Sequence, residues 1–179
     1  MSAETESAQP DGVQHQRYST HRPRVPRPHL VSLPTSPLLA EALPHADWSD
    51  AYAVLVPRSA LCRDAQQWAD AIFHAPPLWI KVLFGVRELL VHCVGIERGG
   101  KAAFDTVSKT SDEVVLGVDQ THLDFRASVR VELDRVVLTT LVKVQSRRGA
   151  AYFALVRRVH PLIVRSMLAR AARAMARPA

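Results

Sequence analysis

The chain has 179 residues, a length that allows one ordinary domain because chains of this size bury a single core rather than two. Its formal net charge of +6 is unevenly placed. The first 134 residues hold 13 basic and 17 acidic side chains, whereas residues 135–179 hold ten Lys or Arg and no Asp or Glu. The basic excess therefore belongs to the C-terminal quarter of the chain.

Residues 1–46 are rich in proline and show neither a helical nor a strand period, as in HRPRVPRPHLVSLPTSPLL. Proline removes backbone donors, and so few apolar groups cannot offset the entropy of ordering, so we expect a disordered tail here. The folded domain is expected over residues 47–175, with a frayed end at 176–179. No secretory signal is predicted, because no long apolar run precedes Trp48. Cys62 and Cys93 lack CxxC spacing and are expected to be reduced, buried thiols of a cytoplasmic protein.

The longest apolar run, residues 76–96, follows a predicted strand (DAYAVLVP) and a predicted short amphipathic helix (RDAQQWADAIFH). It reads PPLWIKVLFGVRELLVHCVGI and contains four polar interruptions. Lys81, Glu88 and His92 recur at spacings of seven and four and so share one side of a helix. Its other side is apolar: Trp79, Leu83, Val86, Leu90 and Val94. This pattern favours a helix that packs on a core over one that spans a bilayer, and a helix on a membrane surface is the minor alternative.

Four strands are predicted next, AAFDTVSKT, EVVLGVD, THLDFRASVRVEL and RVVLTTLVKVQ, joined by short turns into an antiparallel meander. In the third strand, Phe125, Ala127 and Val129 point to the apolar face of the sheet. Asp124 and Arg126 point to the other face, which we expect to be solvated. A polar cluster on a cavity wall, able to anchor an anionic headgroup or to act as an acid–base pair, is the alternative for this second face.

A long helix is predicted from Gly149 onward, with an apolar side formed by Tyr152, Leu155, Val156, Val159, Leu162 and Ile163. Pro161 is expected to kink or break it near His160. Beyond Leu168 the pattern fails, because Arg170, Arg173 and Arg177 rotate onto the former apolar side. The helix is therefore expected to leave the body of the domain or to fray there.

Together these elements predict an α+β fold, a curved antiparallel sheet wrapped around a long C-terminal helix. The stretches WADAIFHAPPLWIKVLFGVRE, EVVLGVDQTHLDFRASV and TTLVKVQSRRGAAYFALVRRVHPLIVRSMLARA resemble a bacterial domain-of-unknown-function family, DUF2867, over residues 48–173. That family is placed in the START-like (SRPBCC, helix-grip) superfamily. The resemblance implies an internal cavity between the sheet and the last helix, which relatives use for lipids, sterols, polyketides or other apolar molecules. It supplies no catalytic residue.

The leading functional prediction is the binding of a hydrophobic or amphipathic small molecule in that cavity, with the helix at 76–94 as its lid or side wall. The candidate lining residues are Trp79, Leu83, Phe125, Ala127, Val129, Tyr152, Val156 and Val159. The polar candidates are His92, Asp124 and His160, which an enzyme of the cyclase, hydratase or hydrolase kind would use in the same cavity.

A third reading is an interaction module that uses the arginines of the last helix. No nucleic-acid motif is recognisable, no transmembrane segment is predicted, and weak peripheral membrane contact stays open. No cofactor is predicted. No metal site is predicted either, because the eight histidines do not share ligand spacing.

Overall fold

The computed structural model describes residues 27–74 and 105–176. Its elements in chain order are β1 (His29–Val31), α1 (Pro37–Ala42), β2 (Trp48–Leu55), α2 (Arg58–Leu61), α3 (Ala65–Phe73), β3 (Thr106–Lys109), β4 (Glu113–Val118), β5 (Leu123–Val131), β6 (Arg135–Val144) and α4 (Arg147–Met175). The helix predicted over residues 76–94 lies outside the described residues.

The six strands form one antiparallel sheet in the order β1-β2-β6-β5-β4-β3. Strands β3 to β6 follow one another as hairpins, whereas β2 lies beside β6, with Trp48 opposite Val142 and Leu55 opposite Arg135. The prediction of an α+β fold with an antiparallel sheet and a long C-terminal helix is confirmed.

The main core lies between one face of the sheet and the helices α3 and α4. Ala127 and Val129 of β5 are fully buried in it, as the alternation of that strand predicted. Trp68 of α3 is its largest fully buried side chain, and its indole N–H donates to the carbonyl oxygen of Ala60 at 3.3 Å. The amphipathic helix α3 begins at Asp64, whose carboxylate accepts from the backbone N–H of Gln67 at 2.7 Å.

Helix α4 differs from its prediction in two ways. It is not broken at Pro161, one of the two outcomes expected there, and it stays in the core beyond Leu168, where Ala171 and Ala172 are fully buried. Arg170 does not end the packing, because its guanidinium donates to the carbonyl oxygen of Ala71 in the last turn of α3, at 2.5 Å. A cation is favourable at a helix C-terminus, and the long stem of arginine lets its head reach there from a packed position.

The face that α4 buries is also displaced from the predicted one. Val164, Met167 and Leu168 are buried, whereas Leu155 and Leu162 are 53% and 62% exposed. These leucines were assigned to the apolar side because they fit a helical stripe. The side of α4 that the sheet covers is rotated about the helix axis away from these two leucines.

Residues 27–46 contradict the predicted boundary of the tail, because β1 and α1 lie within the segment expected to be disordered. Strand β1 pairs with β2, and Leu39 and Leu43 pack against Leu141 on the second face of the sheet. Helix α1 begins at Ser36, whose hydroxyl accepts from the backbone N–H of Leu39 at 3.1 Å. Proline at the first turn of a helix is tolerated, so Pro37 does not prevent this helix from forming.

The second face of the sheet is therefore not the solvated face that was expected. Glu113 is buried there and accepts from the hydroxyls of Ser36 at 2.6 Å and Ser128 at 2.5 Å. Arg126 is also buried, and its guanidinium lies 2.7 Å from a carboxylate oxygen of Asp119. The carboxylate of Glu113 and the terminal nitrogens of Arg126 can be buried at this face because they have hydrogen-bonding partners there, whereas Nε of Arg126 has none.

Cys62 corrects a further expectation. It is exposed rather than buried, because it caps the C-terminus of the four-residue helix α2 at the surface. Cys93 lies outside the described residues. Within residues 27–74 and 105–176, no helix is both long and apolar enough to cross a bilayer.

Candidate functional site

The candidate site lies where β2 meets the N-terminal part of α4. Trp48, Asp50 and Tyr52 alternate along β2, so they share the face that looks toward α4. Each of the three meets a side chain of the helix: Phe153, His160 or Arg165. The three pairs follow one another along the strand.

The outer end of this row is aromatic. The Trp48 ring lies edge-on to Phe153, with ring centroids 5.2 Å apart, and edge-on to His160, with centroids 5.3 Å apart. Edge-to-face packing at these distances is favourable, because the positive edge of one ring meets the negative face of another. The rings of Trp48 and Phe153 are half-buried, so part of this aromatic surface stays accessible.

The middle of the row is a nearly buried polar pair. Nε2 of His160 lies 3.3 Å from a carboxylate oxygen of Asp50, and the two side chains are 14% and 9% exposed. When Nε2 is protonated it donates to Asp50, and the carboxylate then holds the imidazole in one orientation. Nδ1 is left as the second polar atom of the ring, able to donate to a ligand or to accept from one.

The inner end of the row combines a phenol and a cation. The guanidinium carbon of Arg165 lies 5.4 Å from the centre of the Tyr52 ring, which is a cation–π distance. Burial of the hydroxyl raises the pKa of Tyr52 above its ordinary value, the nearby charge of Asp50 raises this pKa further, and Arg165 opposes the shift. The fold therefore favours the neutral phenol of Tyr52 above the ordinary tyrosine pKa.

This arrangement suits the binding of a molecule with an apolar body and a polar group. Binding sites for small molecules are mostly apolar and carry a few polar groups that fix orientation. Trp48 and Phe153 supply the apolar surface, while Asp50 and His160 supply a carboxylate acceptor and an imidazole that can donate or accept. Among the described residues, no three His, Cys, Asp or Glu side chains are grouped so that they could hold a metal ion.

The lining residues predicted from the sequence are divided by the structure. Ala127 and Val129 are fully buried in the main core, and Phe125 is half-buried against that core. Tyr152, Val156 and Val159 are half-buried on the N-terminal part of α4. Trp79 and Leu83 lie outside the described residues.

The three polar candidates do not come together among the described residues. His160 lies in the site, His92 lies outside the described residues, and Asp124 points to the second face of the sheet. There Asp124 accepts from the backbone N–H of Gln120 at 3.1 Å and from the side-chain amide of Gln145 at 2.6 Å. Its role is to hold the turn before β5 against the end of β6.

Sequence reasoning missed Asp50 as the partner of His160. The signal was present in the letters WSDAY, since a tryptophan, a carboxylate and a tyrosine at every second position of a strand share one face. The predicted strand began at Asp50, so Trp48 was left out of it. The pairing with α4 joins residues 110 apart and has no local signal.

The protein is of the α+β class, with an antiparallel sheet that α3 and α4 cover on one face. Its candidate site is a His–Asp pair that lies among aromatic rings. The model of a family described as "Protein of unknown function (DUF2867)" matches residues 42–167. The chain belongs to this family, as the sequence predicted. No curated protein and no solved structure matches the chain.

Proposed function

We propose that the protein is a START-like, helix-grip protein that binds a hydrophobic or amphipathic small molecule between the sheet and the N-terminal part of α4. The observation that carries this proposal is the nearly buried pair of Asp50 and His160, framed by the half-buried rings of Trp48 and Phe153. A polar pair in an accessible aromatic surround is the arrangement that orients an amphipathic ligand.

The strand order supports the helix-grip assignment. In the superfamily that the sequence resembles, a strand and two helices precede a meander, and a long helix follows it. Among the described residues, β2, the helix α3, the meander β3 to β6 and α4 follow this order, and the second predicted helix lies outside them. The pairing of β2 with β6 brings the first and last strands of the unit together beneath α4.

The unequal packing of α4 supports the location of the cavity. From Val164 onward the helix contributes fully buried residues to the core. Before Val164 its apolar residues Phe153, Val156 and Val159 are only half-buried, and Phe153 packs against Trp48 of β2. A ligand seated there would complete the burial that the chain's own side chains leave incomplete.

The polar pair narrows the ligand to a molecule that carries a hydrogen-bonding group. Asp50 and His160 pair with each other, but their remaining polar atoms would lose water when a ligand binds. Burying such atoms without a hydrogen-bond partner raises the free energy of the complex. A purely hydrocarbon ligand would impose that cost, whereas a hydroxyl, carbonyl or carboxylate of the ligand would avoid it. We also propose a cytoplasmic location, which agrees with the exposed thiol of Cys62.

Native mass spectrometry of the full chain, purified gently from its own host, tests the proposal. We expect a bound mass on the wild-type protein, released by organic extraction as a molecule with an apolar body. The variant Val156→Trp places a bulky ring at this half-buried position and should lose the bound mass, if the ligand sits beside the valine as proposed. The matched control Leu155→Trp adds the same ring at the exposed neighbouring position and should keep it.

An empty wild-type protein that also takes up nothing from a total organic extract of the host would overturn the binding proposal. A bound mass that persists equally in both tryptophan variants would show that the ligand sits elsewhere.

Acid–base catalysis at the same place is the second candidate function, and the Asp50–His160 pair favours it. A carboxylate that orients an imidazole is a common arrangement for a general base. Asp50→Asn keeps the shape of the side chain and should leave the recovered molecule bound, while conversion of that molecule by the wild-type protein should fall at least about 100-fold. A recovered molecule that the wild-type protein never converts would eliminate this candidate.

A further inference from the structure

One face of α4 looks away from the sheet and carries arginines and small or apolar residues in a regular spacing. Its members are three or four residues apart in strict alternation, so they form a single line along the helix. All six are exposed: Arg148, Ala151, Leu155, Arg158, Leu162 and Arg165. We call this line the arginine–leucine stripe.

The two leucines set the stripe apart from an ordinary solvated face. Leu155 and Leu162 are seven residues apart and more than half exposed, so they lie two helical turns apart on the same line. Single exposed apolar residues are common and need no explanation. Two large ones in line, each next to an arginine of the stripe, form a surface that alternates between apolar and cationic groups.

The charge of this surface has a single sign. Helix α4 contains no acidic residue, and the whole of residues 135–179 contains none. The stripe therefore attracts anions, and no carboxylate on its own helix neutralises it.

We propose that the arginine–leucine stripe docks the protein on an anionic lipid surface. Guanidinium groups at the ends of long stems can reach lipid phosphates while leucines beside them enter the boundary of the acyl chains. The attraction of basic residues to a negatively charged leaflet supplies the remaining affinity. This inference does not depend on the proposed ligand, because Arg148, Leu155, Arg158 and Leu162 lie on the side of α4 away from Asp50 and His160. Arg165 borders both surfaces, since it also contacts Tyr52.

Two other occupants fit the stripe less well. A second copy of the helix would bring arginines against arginines, since the stripe has no acidic side chain to pair with them. A nucleic acid would use the arginines but would leave Leu155 and Leu162 without a role. An anionic bilayer uses both kinds of side chain.

Sedimentation of the full chain with phosphatidylcholine vesicles, with and without 30% phosphatidylglycerol, tests the proposal at low ionic strength. We expect binding to the anionic vesicles alone. Arg148→Glu with Arg158→Glu should lower the partition coefficient about 25-fold or more, because each basic residue at such a surface contributes roughly a factor of five. Arg165 is left unchanged, since it also contacts Tyr52.

The matched control for charge is Arg27→Glu with Lys109→Glu, two exposed basic residues outside α4. It changes the net charge equally and should retain most of the binding. The leucine variant, Leu155→Gln with Leu162→Gln, keeps helix-forming side chains and should lower binding at least about tenfold. Circular dichroism of each variant reports whether α4 is intact.

Three results would overturn the proposal. The first is no sedimentation of the folded wild-type protein with anionic vesicles. The second is an equal loss in the two charge variants, which would mean that net charge alone causes binding. The third is unchanged binding in the leucine variant together with full competition by RNA, which would assign the stripe to a nucleic acid instead.

Discussion

At the scale of single residues, the second face of the sheet depends on one buried carboxylate. Glu113 accepts from the hydroxyls of Ser36 and Ser128, which belong to α1 and β5. Hydrogen bonds to a charged group are stronger than neutral ones. A buried carboxylate that loses a donor destabilises the folded state, because its desolvation is then no longer fully compensated. The hydroxyl of Ser36 also caps α1, so this group ties that helix to the sheet.

We predict that Ser128→Ala lowers the free energy of unfolding by about 1.5–3 kcal/mol, because it removes one donor from buried Glu113. Urea denaturation followed by circular dichroism measures the change. Ser111→Ala, at an exposed turn position, is the control and should stay within about 0.5 kcal/mol of the wild type. Equal effects of the two substitutions would contradict the role assigned to Glu113.

Tyr52 makes stability depend on pH at the alkaline end. Its pKa in the folded protein is raised above the model value of 10.0, first by burial and then by Asp50. The fold therefore favours the neutral phenol, and this stabilising contribution is fully present below the unfolded pKa of about 10 and is lost as the pH rises through the folded pKa.

We expect the urea midpoint of the wild-type protein to fall above about pH 10, as Tyr52 ionises. Tyr52→Phe should reduce this decline and should remove a phenolate signal that appears above the ordinary tyrosine pKa in ultraviolet absorbance. A phenolate of Tyr52 that forms at or below the ordinary tyrosine pKa would refute the assigned environment.

At the scale of elements, α4 shows how far a sequence can predict which side of a helix the sheet covers. The sequence predicted the helix and most of its length, because its period is strong. It did not predict which of several leucines the sheet covers, since Leu155, Leu162 and Leu168 all fit a helical pattern. The choice depends on the direction from which α3 and β2 approach, and that direction has no local signal.

We predict that Leu168→Ala lowers the free energy of unfolding by about 2–5 kcal/mol, because it opens a cavity in the main core. Leu162→Ala, on the same helix, should change it by less than about 0.5 kcal/mol, since this side chain is 62% exposed. Urea unfolding curves of both variants give the comparison. Similar losses at the two positions would show that α4 is rotated relative to the structure.

The segment that includes β1 and α1 shows where composition misleads. Its prolines and short apolar runs are typical of a disordered chain, and they led to the expected tail over residues 1–46. A three-residue strand and a six-residue helix are too short to show a period. They are stabilised by pairing with β2 and by burial of Leu39 and Leu43 against the sheet, which are contacts across long stretches of the chain.

At the scale of the whole molecule, the pattern of elements was predictable and the site was only partly so. Strand alternation predicted the two faces of β5, and the order of elements predicted the α+β class. His160 was predicted as a polar candidate, but its partner Asp50 comes from a strand 110 residues earlier. Long-range pairs of this kind depend on the packing of two elements, which no spacing rule within one element contains.

The uneven distribution of charge along the sequence corresponds to one surface of α4. The C-terminal quarter holds the basic excess, and in the structure Arg148 and Arg158 lie along one outward line of α4, with Arg165 at its border with the ligand site. The two sides of this helix therefore have different proposed roles. Its inner side contributes to the ligand site beside β2, and its outer side forms the arginine–leucine stripe.

The most direct test of the ligand proposal is fluorine NMR of the protein labelled with 5-fluorotryptophan. The chain has three tryptophans, and Trp48→Phe assigns the resonance of the one in the site. On titration with the organic extract of the host cells, we predict that the Trp48 resonance shifts while that of Trp68, fully buried in the core, stays in place. A Trp48 resonance that stays unmoved while native mass spectrometry reports a bound molecule would contradict the account.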